Sequence, residues 1–138
     1  MGIPPEREKA IREKFQTNHF PQLLGFEIDS IEPGRARLSV AVRQELLQLQ
    51  GVMHGGAIAS LIDTAVAFAI IGDVPPEARF TTVEMKVNYL SAIRAGRAIA
   101  DARVIRNGRR IIVAECDVTD STGKLAAKGL VTYIRVDE

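Results

Sequence analysis

The sequence predicts an α+β fold, with one long buried helix laid across an antiparallel sheet of five to six strands and a short helix ahead of them. Three observations carry that prediction. The stretch from Gly55 to Ile71 is nearly all apolar and is followed by Gly72 and Pro75-Pro76, which stop a helix. Beyond them the apolar period changes from helical to two: Val83, Met85, Val87 and Tyr89 face one way, Glu84, Lys86 and Asn88 the other. Two further strand-like runs flank Asn107-Gly108, a strong two-residue hairpin signal. A helix across one sheet buries the apolar surface of both.

The elements follow in order. Residues 6–16 read as a charged amphipathic helix with Ile11 and Phe15 on one face. Residues 18–21 break it, and His19 reads as a connector from helix to strand. Residues 25–31 and 35–42 read as strands joined at Glu32-Pro33-Gly34, a turn signal. A loop, 43–54, leads into the central helix. Strands over 99–106 and 110–119 form the hairpin, Asp120-Ser121-Thr122-Gly123 makes the next turn, and 125–136 is the last strand. Repeats, low-complexity tracts and long linkers do not show, so one domain over 1–138 is expected, and that length suits a sizeable core.

Composition narrows the function. Apolar residues make up 46% and charged residues 25%, as in an ordinary soluble protein. A net charge of +1 argues against nucleic acid or an acidic membrane as main partner. The first residues, Pro4-Pro5-Glu6-Arg7-Glu8-Lys9, are too polar for a signal peptide. Cys116 is the single cysteine, which excludes an intrachain disulfide or a cysteine zinc site and fits a reducing cytoplasm. With two histidines, no metal site is expected. The apolar stretch of the central helix is shorter than the span of about 20 residues a membrane requires, and Asp63 interrupts it.

Residues 48–63, Q-L-Q-G-V-M-H-G-G-A-I-A-S-L-I-D, hold the chemistry. The turn-prone G-x-x-H-G-G opens the central helix, whose first N–H groups lack intrahelical partners and suit a developing oxyanion. Asp63 is a carboxylate in an apolar helix, which is costly without a partner or a task. The Gly55 N–H would polarise a carbonyl, aided by the helix dipole, and Gly56 would let a ligand approach the backbone. Gln48 would add a side-chain N–H or orient a water. Asp63 would attack the carbonyl or deprotonate a water. A weakly basic carboxylate needs a good leaving group, which a thioester supplies and an amide does not.

Gly55 and Asp63 are eight residues apart, so a straight helix separates them by about 12 Å along its axis and about 80° around it. One carbonyl cannot reach both. Two chains about a two-fold axis, with central helices antiparallel, bring Gly55 of one near Asp63 of the other. The chemistry therefore predicts a dimer with two equivalent sites.

The spacing Q-x-x-G-x-x-H-G-G followed by Asp63 resembles the hotdog-fold acyl-CoA thioesterases, specifically the phenylacetate-degradation (PaaI-type) branch. L-G-F-E-I-D-S-I-E-P-G-R-A-R-L-S-V, T-T-V-E-M-K-V-N-Y-L-S-A-I-R-A-G and D-S-T-G-K-L-A-A-K-G extend the resemblance over most of the chain. It implies a hotdog fold, dimers commonly paired into homotetramers, and hydrolysis of acyl-CoA to acid and CoA without metal or cofactor. It implies Asp63 as nucleophile or general base, Gly55 as oxyanion donor, and Thr82 at a position that assists the attacking water, with Thr81 as a near alternative. Gln48 stands where this branch usually has Asn; related thioesterases use Gln.

Simpler readings stand beside these. His54 reads as a catalytic base or as a structural residue bonded to its loop. Asp63 reads as a catalytic group or as a helix acid paired with a neighbouring Ser or Thr. Thr81 and Thr82 are ordinary strand residues by propensity. Arg106, Arg109 and Arg110 read as a CoA-phosphate site or a solvated hairpin tip, and Arg94 and Lys128 have the same two readings. Cys116 reads as an inert core residue. Phe68, Phe80 and Tyr89 are candidate pocket residues. His19-Phe20-Pro21 echoes hotdog hydroxyacyl-thioester dehydratases, but no P-G-V follows it. That dehydration and non-catalytic acyl-CoA binding are the alternative functions.

Overall fold

The computed structural model describes residues 2–136. The first helix, α1 (Pro5–Gln16), begins with Pro in its first turn, carries Glu6 and Glu8 there and Lys14 in its last turn, and buries Ile11 and Phe15. Each choice suits its end of the helix dipole or its apolar face. The expected break then differs: His19–Leu24 form a second helix of six residues, α2. Pro21 sits in its first turn, where a missing N–H costs no intrahelical bond. Gly25, with φ +80°, ends α2 in a left-handed turn.

Six strands form one antiparallel sheet: β1 (Glu27–Glu32), β2 (Arg35–Ala41), β3 (Phe80–Tyr89), β4 (Arg97–Asn107), β5 (Ile111–Thr119) and β6 (Leu125–Arg135). Their order is β1-β2-β4-β5-β6-β3. Between β2 and β3 the chain passes through the central helix, α3 (Gly55–Ile71), and so lays it across the sheet. The two-residue period of β2, β4, β5 and β6 turns Leu38, Val40, Ala98, Ala100, Ala102, Ala114, Cys116, Val118 and Val131 into the core, although Ser39 on β2 and Ala126 on β6 are buried out of phase. From α3, Ile58, Leu61, Ile62, Ala65, Val66 and Phe68 fill it.

Two glycines are there for space. Gly72 ends α3 with φ −71°, so handedness is not its reason; a Cβ there would lie 2.9 Å from the Glu32 carbonyl oxygen. Gly129, opposite Cys116 on β6, meets α3: a Cβ there would lie 2.8 Å from Cγ2 of Ile62. Gly129→Ala therefore forces Ile62, or the helix that carries it, to shift. The expected cost is about 1–3 kcal/mol, read as a lower melting temperature in a thermal scan. An unchanged or raised Tm would contradict this contact.

On β3 the simple alternation fails. The register with β6 shifts between Thr82 and Glu84, with Val83 as the extra residue, 57% exposed. Met85 and Val87 remain packed on the core, as expected. The bulge reverses the phase before them, so Thr82 also faces the helix.

Candidate functional site

The site begins at the N-terminus of α3. His54 is its N-cap: Nδ1 accepts the Gly56 N–H at 2.8 Å, and the His54 carbonyl accepts the Ala57 N–H at 3.0 Å. An accepting Nδ1 favours the structural reading of His54. The Gly55 N–H has no acceptor among the described residues. Tyr89 closes over this turn, its hydroxyl donating to the Gly55 carbonyl at 2.8 Å. A Cβ on Gly55 would stand 3.3 Å from the tyrosine ring. Beside it lies a cavity of about 360 Å³, whose walls include Gln48, Met53, Gly55, Ile58, Tyr89 and Ile93. The Gln48 amide is turned onto its own loop, where its oxygen accepts the Gln50 N–H.

Asp63 lies farther along the same continuous helix, half-buried and off the wall of that cavity. Its Oδ1 accepts two hydrogen bonds, from the Thr82 hydroxyl at 2.9 Å and the Tyr133 hydroxyl at 2.8 Å. The Tyr133 hydroxyl also lies 2.9 Å from the Asp63 carbonyl oxygen. No donor among the described residues reaches Oδ2. Burial pushes the Tyr133 phenol well above the ordinary tyrosine range, and the Asp63 charge adds to the shift, so the hydroxyl stays a donor. Phe80 packs edge-on against the Tyr133 ring, centroids 5.5 Å apart.

Several candidates are sorted by their positions. Thr81 pairs with Ile134 on the outward face of the sheet, whereas Thr82 pairs with Tyr133. Arg94 follows Ile93, whose carbonyl accepts the Met53 N–H at 2.7 Å, close to the start of α3. Arg109 lies in the β4–β5 hairpin, which Asn107 ties to Asp73 beyond the end of α3. Lys128 pairs with Asp117 at 2.7 Å, which favours a structural role. Phe68 is core rather than pocket, buried edge-on against Phe15. Cys116 is buried, and burial pushes its thiol up, so it is inert as a nucleophile. Among the described residues no helix is long and apolar enough to cross a membrane.

Tyr133 is the residue that sequence reasoning missed. A signal existed: the two-residue period of β6 puts it in phase with Ala127 and Val131, and a tyrosine on a buried face needs a partner for its hydroxyl.

The fold and this helix-borne acid define a class. Residues 50–127 match the Thioesterase superfamily, so the chain belongs to that superfamily and has its hotdog fold. Among its relatives, it is 31% identical to a 1,4-dihydroxy-2-naphthoyl-CoA hydrolase of Listeria monocytogenes, covering 75% of this chain and 85% of that one. It is 28% identical to human acyl-coenzyme A thioesterase 13, covering 88% of each. Among solved structures, a mutant of the phenylacetic acid degradation protein PaaI from Thermus thermophilus aligns with a TM-score of 0.77 at 30% identity, covering 85% of this chain and 98% of that one.

Proposed function

We propose that this thioesterase hydrolyses acyl-CoA to free acid and CoA at two equivalent sites, each shared between two subunits. The observation that carries the reading is the division of α3. Its first turn offers a Gly55 N–H with no acceptor among the described residues, and its middle offers an Asp63 carboxylate with one oxygen held and the other open. The two lie about 12 Å apart along one helix, too far to serve one carbonyl. Antiparallel pairing of two α3 helices supplies both groups to each substrate.

Gly55 polarises the thioester carbonyl, and Gly56 leaves the approach to the backbone open. His54 shapes that turn through its cap, and Gln48, once its amide turns from Gln50, adds a side-chain N–H or orients a water. Asp63 attacks the carbonyl carbon or takes a proton from the water that does. The C–S bond then breaks, CoA leaves as its thiolate, and water supplies the acid's second oxygen. Thr82 orients the water as well as Asp63. Antiparallel helices place Arg94 of one subunit at the same end of the assembly as Arg109 of the other, where CoA phosphates are accommodated. A ten-residue edge strand, β3, with Val83 exposed, supports the dimer, because such an edge needs cover. Pairing of dimers into a tetramer is the assembly the resemblance implies, and a buried, lone Cys116 suits a cytoplasmic setting.

The test is release of free thiol from a panel of medium-chain and aryl acyl-CoA substrates. Because Cys116 is buried, a thiol reagent reads the CoA product and not the native protein. Turnover of at least one substrate is expected. A panel with no thiol released would sink the reading, and an enoyl product on an intact thioester would replace it with dehydration.

A further inference from the structure

Two donors converge on one oxygen of Asp63, and the second donor is nearly sealed from water. Tyr133 is only 4% exposed. Its hydroxyl reaches Asp63 Oδ1 at 2.8 Å and the Asp63 main-chain oxygen at 2.9 Å, so a single hydrogen ties the side chain to its own backbone. Thr82 meets the same Oδ1 at 2.9 Å from the half-open side. Thr82 and Tyr133 are direct register partners across β3 and β6, a pairing that faces α3 only because the bulge at Val83 reverses the strand's phase. Phe80 packs on the Tyr133 ring and limits its movement.

We infer that Tyr133 is a positioning residue that fixes the rotation of the Asp63 carboxylate and makes Oδ2 the reacting oxygen. The inference rests on the proposed role of Asp63 and adds the atom and the anchor. An aspartate on a helix is free to turn about its last bond, and each turn exchanges its two oxygens. Bonds from both sides to Oδ1 stop that exchange and aim Oδ2 into the open. Tyr133 is nearly sealed from solvent and its hydroxyl is engaged by Asp63, so its effect falls on the chemical step and not on binding.

The experiment compares Tyr133→Phe, Thr82→Val and the double variant with the wild type in steady-state thiol release. Displacing a reacting group by an ångström costs on the order of 100-fold in rate, so Tyr133→Phe is expected to lower kcat by about 10- to 100-fold with KM within about twofold. Thr82 by itself holds Oδ1 only in part and Tyr133 is the main anchor, so the double variant should fall below the product of the two single losses. A residue that merely supports the fold would lower the melting temperature without that coupling. A wild-type kcat in folded Tyr133→Phe overturns the inference. If Tyr133→Phe does not fold, Phe80→Leu decides instead: it removes the ring that packs on Tyr133, so kcat should fall several-fold with KM within about twofold, and a wild-type kcat overturns the inference. Asp63→Asn is run alongside, because an active Asp63→Asn refutes the acid assignment itself, whereas an inactive one beside a fully active Tyr133→Phe refutes only the anchor.

Discussion

Asp63→Asn is expected to lose about a thousandfold or more in kcat while the assembly and its melting temperature persist. The amide keeps an oxygen where Oδ1 stood, so Thr82 and Tyr133 retain their acceptor. What disappears is the open oxygen: an amide nitrogen neither attacks a carbonyl nor takes a proton from water. The fold therefore has little reason to change, and the chemistry has no group left to perform it. Thiol release gives the rate, and size-exclusion chromatography with light scattering gives the assembly. Wild-type rates in this variant would assign the acid elsewhere.

Gly55→Pro is expected to lower kcat by about 100- to 1000-fold, the usual effect of deleting one oxyanion donor. Gly55 is the first residue of α3 and follows His54 at φ −63°, ψ 135°, an extended conformation that a following proline accepts. The substitution removes the N–H and nothing else from the backbone hydrogen bonds of the first turn. Gly55→Ala is the control, because it brings the same Cβ to 3.3 Å from Tyr89 and keeps the N–H. Equal losses in the two variants would implicate crowding against Tyr89 instead of the donor.

The two variants together test the shared site. A mixed dimer of Asp63→Asn and Gly55→Pro subunits holds one site with both groups intact and one with neither. Random reassortment of equal amounts should recover about a quarter of wild-type activity, since half the dimers are mixed and each has one working site. A site contained within one subunit predicts no recovery.

Much of this protein is legible in its sequence alone. α3 runs from Gly55 to Ile71 as its apolar stretch and flanking Gly and Pro residues predict, and a hairpin joins β4 and β5 where expected. Its tip, however, is Arg109-Arg110 and not Asn107-Gly108: Asn107 ends β4, paired with Ile112, and the Gly108 N–H donates to the Ile111 carbonyl at 2.9 Å. These features are local: periodicity, turn chemistry and helix ends depend on neighbours a few residues away. α2 was missed because Pro21 reads as a breaker until its place in a first turn is known. Thr82 was singled out by resemblance alone, since strict alternation would have sent it outward with Glu84.

The sequence by itself determined the long helix, its hairpin-linked strands, the Gly55 turn and the lone acid at Asp63, and the helical rise alone placed those two groups too far apart for one carbonyl. Only the tertiary structure decided how the acid is held. Tyr133 is 70 residues from Asp63, and its hydroxyl reaches Oδ1 because β6 lies beside β3 at the edge of the sheet beneath α3. A one-residue bulge at Val83 then turns Thr82 to the same oxygen. Neither fact is written in a local pattern, because side-chain direction on a strand is a matter of register, and register is settled by pairing between distant segments.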